Sequence, residues 1–105
     1  MAFIILTTVS RMADAERIAG IMVEEKLAAC VNILDSVRSV YRWKGQIERE
    51  TEIILIIKTS RERYKNAMFR IAEIHPYELP ETMAIEISEG SSKYLKWLED
   101  STAVP

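Results

Sequence analysis

Cysteine occurs once in this 105-residue chain, at Cys30, so no internal disulfide can form and the framework of a small secreted disulfide protein is excluded. A lone thiol fits a reducing compartment, and a cytoplasmic location is expected. Histidine is equally scarce: His75 is the only imidazole, which leaves few acid–base constellations and no ligand spacing of a closed structural metal site. Glycine and proline number three each, too few for a linker or a low-complexity tract. No Gly-rich phosphate loop, nucleophile elbow or HExxH helix is present, and enzymatic activity is not expected. Charge of one sign is also lacking. A net charge of -2 provides no basic face for a phosphate backbone, so nucleic acid is not an expected partner. The apolar run in MAFIILTTVS is too short to span a bilayer and has no basic region before it, so no membrane partner is expected either.

What the chain does contain is 49% hydrophobic and 29% charged residues, the balance of a globular protein, read as one domain over residues 1–105. Its dominant feature is Cys30 to Thr59, CVNILDSVRSVYRWKGQIERETEIILIIKT. This stretch reads as two long strands folded back at Lys44-Gly45, where glycine accepts positive φ. Such a turn places Val40 opposite Arg49 and Tyr41 opposite Glu48, and by continuation Ile33 opposite Ile56 and Leu34 opposite Leu55. Arms of about 14 residues span roughly 45 Å at ~3.3 Å per residue, too long for one small domain. An isolated two-stranded ribbon is marginal in water. The ribbon therefore leans on something outside its own domain, most simply another copy of the chain.

The remaining elements follow in order. Phe3 to Val9 is a continuous apolar run that predicts a strand covered on both faces. Ser10 is the expected cap of a helix with Ala15, Ile18, Ala19 and Met22 on one side. Ile53 to Ile57 is another run without alternation. Ser60 is the expected cap of a second helix, with its stripe at Tyr64, Ala67, Met68 and Ile71, ended by Pro76. Thr82 to Ser88 alternates as a half-buried strand, and Tyr94, Leu95 and Leu98 predict a last helix beyond Gly90, with Ser101 to Pro105 frayed or a small edge. The order β-α-β-β-α-β plus a terminal helix gives an α+β, ferredoxin-like antiparallel sheet of spatial order 4-1-3-2, with a long hairpin joining its second and third strands. Helices cover one face of such a sheet. Apolar residues on both faces of its central strands then require a partner subunit on the other.

With these elements placed, KLAACVNI (26–33), SVYRWKGQIE (39–48), LIIKT (55–59), HPYELPE (75–81) and YLKWL (94–98) strongly resemble the CutA divalent-cation-tolerance family over almost the whole chain. The resemblance implies a ferredoxin-like subunit in a tight homotrimer, similar in architecture to the PII signalling proteins. It also implies a link to copper(II) and other divalent cations, without an organic cofactor. Members with a fuller ligand set carry a cysteine near the end of the first strand and a second histidine before HPY; the matching positions here are Thr7 and Ile74, and His75 alone carries over.

Imidazole is a common copper or zinc ligand, so His75 is the leading metal candidate, with a hydrogen-bonded structural residue as the alternative. Glu78 is a candidate oxygen ligand or imidazole-orienting group, and otherwise a solvated carboxylate. Cys30 is a candidate thiolate ligand or a small core residue. Lys58, expected near the loop after His75, is a candidate for holding an anion in a cleft between subunits or for a plain ion pair. Tyr77 and Trp43 are candidate cleft residues, while Tyr41, Trp43 and Trp97 fit packing at a subunit interface. The charges from Glu48 to Glu52 read as a solvated face with cross-strand pairs to Arg38 and Arg42. Two functions follow: a homotrimeric cation-tolerance protein with sites in clefts between subunits, or a PII-like signalling or scaffolding trimer that binds a small anion or a protein partner.

Overall fold

A computed structural model describes residues 1–105. Seven elements succeed one another: β1 (Ala2–Val9), α1 (Met12–Glu24), β2 (Cys30–Trp43), β3 (Gln46–Ser60), α2 (Tyr64–Ile74), β4 (Met83–Glu86) and α3 (Ser92–Thr102). The strands form one antiparallel sheet of order β2-β3-β1-β4, the ferredoxin-like order expected from the sequence. β1 and β3 are central because each has apolar residues on both faces, and the shorter, half-exposed β4 occupies an edge.

Helices α1 and α2 pack on one face. Ile5, Val9, Ile53, Leu55 and Ile57 from the sheet meet Ala15, Ile18, Met22, Ala67 and Ile71 from the helices. Complete burial of an Ile or Leu side chain contributes roughly 1.5–3 kcal/mol, so this layer holds the subunit together. Helix α3 crosses to the other face, where Thr102 donates to the Ser60 hydroxyl at 2.9 Å beside the buried Leu98. Thr102 thus closes the helix, so of the end expected to be frayed, Ser101 to Pro105, the first two residues are helical and only residues 103–105 lie outside any element.

Two capping expectations are corrected. Ser10 does not cap α1, which begins after Arg11 with no side-chain cap. Ser60 ends β3 as the acceptor for Thr102, and α2 begins after Arg63. A side-chain cap is found instead on α3, where Ser91 accepts from the Tyr94 N–H at 3.3 Å. At the end of α2, His75 adopts φ -74 and ψ 138, the extended conformation imposed by the following Pro76.

The hairpin bears out its outer half. Val40 faces Arg49 and Tyr41 faces Glu48, around a turn in which Lys44 and Gly45 both have positive φ, 50° and 79°. Its base differs by one residue. Ile33 pairs with Leu55 and Leu34 with Ile54, because a bulge between Leu34 and Val37 inserts one extra residue in β2. Ser36 takes φ 60 there, and its N–H donates to the Asp35 carboxylate at 2.7 Å. The slip exchanges faces, so Ile33 packs against the core and Leu34 faces outward, 44% exposed.

The face opposite α1 and α2 carries Ile4, Leu6, Ile54, Ile56, Met83 and Ile85 on paired positions of β1, β3 and β4. Within the chain only α3 reaches it, at the Ala2 and Ser60 end. Met83 and Ile85 remain about half exposed, at 53% and 52%. The hairpin tip extends beyond the two-layer body, giving principal dimensions of 44 × 25 × 21 Å.

Candidate functional site

A cleft of about 940 Å³ lies between the outer arm of the hairpin and the loop after α2. The open-face positions of β3 place Glu48, Glu50 and Glu52 along one wall, opposite Tyr41, Ser39 and Val37 of β2. The loop adds Tyr77, Glu78, Leu79 and Glu81, and Thr8, Ser10, Val40 and Trp43 contribute to the lining. Strand periodicity explains the glutamates: side chains two apart share a face. Arg38 and Arg42 also border the cleft, but they pair with Thr51 and Ile47, positions that alternate with those of the glutamates. The expected cross-strand ion pairs between Glu48–Glu52 and these arginines do not form.

The loop is held by its first three residues. Tyr77 N–H donates to His75 Nδ1 at 3.1 Å, which leaves the proton on Nε2; that nitrogen lies 2.9 Å from the Thr8 carbonyl and donates to it. Tyr77 then packs edge-on against the imidazole, with ring centroids 4.8 Å apart, and its hydroxyl donates to Glu52 at 2.6 Å. Burial, opposed by the Thr8 carbonyl, lowers the His75 pKa below the usual imidazole value. Burial and the Glu52 carboxylate raise the Tyr77 phenol, so it stays protonated as the donor. Tyr41 is raised as well, by desolvation and then by a hydrogen bond to Glu50.

These contacts assign His75 to positioning. Both ring nitrogens are engaged inside the chain, and ligation would require one of them to be released. Cys30 lies elsewhere. It begins β2 opposite Lys58, with its thiol 3.9 Å from the Asn32 side chain, whereas Thr8 above His75 is paired with Ile54. Four residues of β3 separate those positions, roughly 13 Å of strand. Lys58 is likewise remote from the loop after His75, contrary to the expectation from topology. Glu78, Tyr77 and Trp43 do line the cleft. Thr7 and Ile74 belong to the helix-side core, with Thr7 fully buried and Ile74 packed against the cluster. No three His, Cys, Asp or Glu side chains are arranged to hold a metal ion within one chain. The available donors in the cleft are carboxylates, which suit a hard divalent cation better than a soft one.

Sequence reasoning missed Glu52 and Glu81. Glu52 is 6% exposed and accepts the Tyr77 hydroxyl. Its signal is faint but present: an acid directly preceding the apolar run Ile53 to Ile57 of a central strand.

The comparisons agree with this architecture. Residues 3–101 match the family model described as "CutA1 divalent ion tolerance protein". The "Divalent-cation tolerance protein CutA" of Thermus thermophilus is 40% identical over 102 residues, covering 97% of this chain and 99% of that protein. Its solved structure superposes with a TM-score of 0.93 at 40% identity, covering 98% of this chain and 100% of the other. The "PII-like protein CutA" of Nostoc superposes with a TM-score of 0.89 at 38% identity, covering 96% and 97% of the two chains. By the family model, by sequence identity over nearly its full length and by backbone superposition, the chain belongs to the CutA divalent-cation-tolerance family.

Proposed function

We propose that the chain serves divalent-cation tolerance as a homotrimer, taking copper(II) or another divalent cation in the carboxylate-lined cleft where a neighbouring copy closes it. The observation that carries this reading is the juxtaposition of two incomplete features. Five glutamates, Glu48, Glu50, Glu52, Glu78 and Glu81, line the cleft against two arginines, yet no three ligands converge within one chain. Beside them lies an apolar sheet face that the subunit's own helices leave largely open. A second subunit on that face buries the apolar surface and brings further donors to the cleft. The PII-like anion-binding alternative shares the trimer but wants a positive site, and Lys58 lies far from the cleft. The role is one of binding, in the cytoplasm, with no organic cofactor.

Calorimetric titration with copper(II) chloride tests the cation site. Replacing Glu78 and Glu81 together by glutamine is expected to weaken binding at least about tenfold. Unchanged affinity in that variant would exclude the cleft. Light scattering on the parent protein should report about three times the 12.1 kDa chain mass.

A further inference from the structure

Among the positions that share the open sheet face, charge is distributed unevenly. Glu48, Glu50 and Glu52 occupy the hairpin end, while Lys58 stands at the other end between Ile4 and Cys30. Lys58 is the single basic residue on the paired positions of that face. It is half-buried, and no acid of its own chain pairs with it. Glu52 presents the complementary deficit. Its carboxylate is buried, receives one neutral donor, the Tyr77 hydroxyl, and forms no ion pair within its own chain. A buried carboxylate without a counter-charge is costly, and so is a lysine carried into an apolar interface. Six residues of β3 separate the two, roughly 20 Å, so they cannot meet inside one chain.

In a closed ring of identical subunits each interface is heterologous: one patch meets a different patch on the next copy. A face that is acidic at one end, apolar in the middle and basic at the other is self-complementary in that head-to-tail sense. We propose that Lys58 of one copy supplies the counter-charge for Glu52 of the next, fixing the direction in which subunits stack across the open face. This rests on the homotrimer reading above and adds the residue pair that orients it. Tyr77 then holds the Glu52 carboxylate from within, while the neighbouring copy's ammonium approaches from outside.

A double-mutant cycle on the full chain tests the pair, with the protein concentration at half-dissociation read by sedimentation or light scattering. Lys58→Met removes no contact inside the subunit, so the fold survives it. Glu52→Gln keeps an acceptor for Tyr77, and circular dichroism confirms its folding. Each single change is expected to raise the half-dissociation concentration by at least about tenfold, the double change no further than the worse single one. Additive effects, or a Lys58→Met protein that assembles like the parent, overturn the pairing and leave the homotrimer standing. A parent protein that is monomeric at micromolar concentration overturns the homotrimer and the pairing with it. A stable dimer in which the cycle still couples retains the pair and overturns the ring.

Discussion

His75 shows how a side chain with an obvious chemical use is committed to a structural one. Its nitrogens bridge the Thr8 carbonyl and the Tyr77 amide, and burial holds its pKa low. The folded pKa is therefore below that of the unfolded chain, so acid favours unfolding. The contribution of the neutral ring is complete above the unfolded value of about 6.5 and is lost as pH falls through the folded value. Tm should accordingly decline on acidification toward pH 5, and His75→Gln should flatten that part of the profile; identical profiles for the two proteins would remove the ring from the explanation. Thr7 makes the opposite case. Its hydroxyl is fully buried on the helix side of β1 with no hydrogen-bond partner. Because an unsatisfied buried group carries a desolvation penalty, Thr7→Val should stabilise the subunit by about 1 kcal/mol in denaturant unfolding. The expected direction reverses only if the hydroxyl has a partner in solution.

At the scale of elements, the hairpin combines a strong local instruction with a concealed irregularity. Lys44 sits at φ 50 in a turn whose two central residues both need positive φ. Asparagine tolerates that conformation better than lysine, so Lys44→Asn should stabilise the hairpin by roughly 0.5–1 kcal/mol, measured as a higher denaturant midpoint at unchanged slope. The outer register was legible because it is counted from that turn. The base was not, because counting through Asp35 and Ser36 assumes an unbroken strand. Alternation alone cannot locate the extra residue when Ile33 and Leu34 are both apolar. Helix caps failed similarly: Ser10 and Ser60 have the right chemistry, but neighbouring elements claim them, Ser60 through Thr102 and Ser10 through the cleft wall. Helix stripes and the proline stop of α2 were readable because they depend on residues only a few positions apart.

Considered as a whole molecule, the subunit is less compact than its length alone would give. Its radius of gyration is 14.3 Å, against about 13 Å for a compact chain of this size. The excess is the hairpin, whose outer arm has neither helix behind it. Val40 and Ile47, exposed at 62% and 56%, sit on that arm, while Leu34, Met83 and Ile85 add apolar surface on the open sheet face. Surface of this extent fits an assembling protein. Helix α3 is confined to the end of the open face near Ser60 by its contact through Thr102 and Leu98.

The amino-acid sequence by itself determined the order of elements, the central positions of β1 and β3, the outer hairpin register and the family resemblance, since each rests on short-range periodicity, turn chemistry or contiguous motifs. Tertiary structure decided the functional detail. It placed Cys30 and Lys58 away from His75, committed His75 to the loop, buried Glu52 against Tyr77 and set the glutamates of β3 at positions that alternate with those paired to Arg38 and Arg42. These outcomes depend on which strand face a residue occupies and which distant element arrives there. A single bulged residue at Ser36 is enough to exchange the two faces at the base of the hairpin.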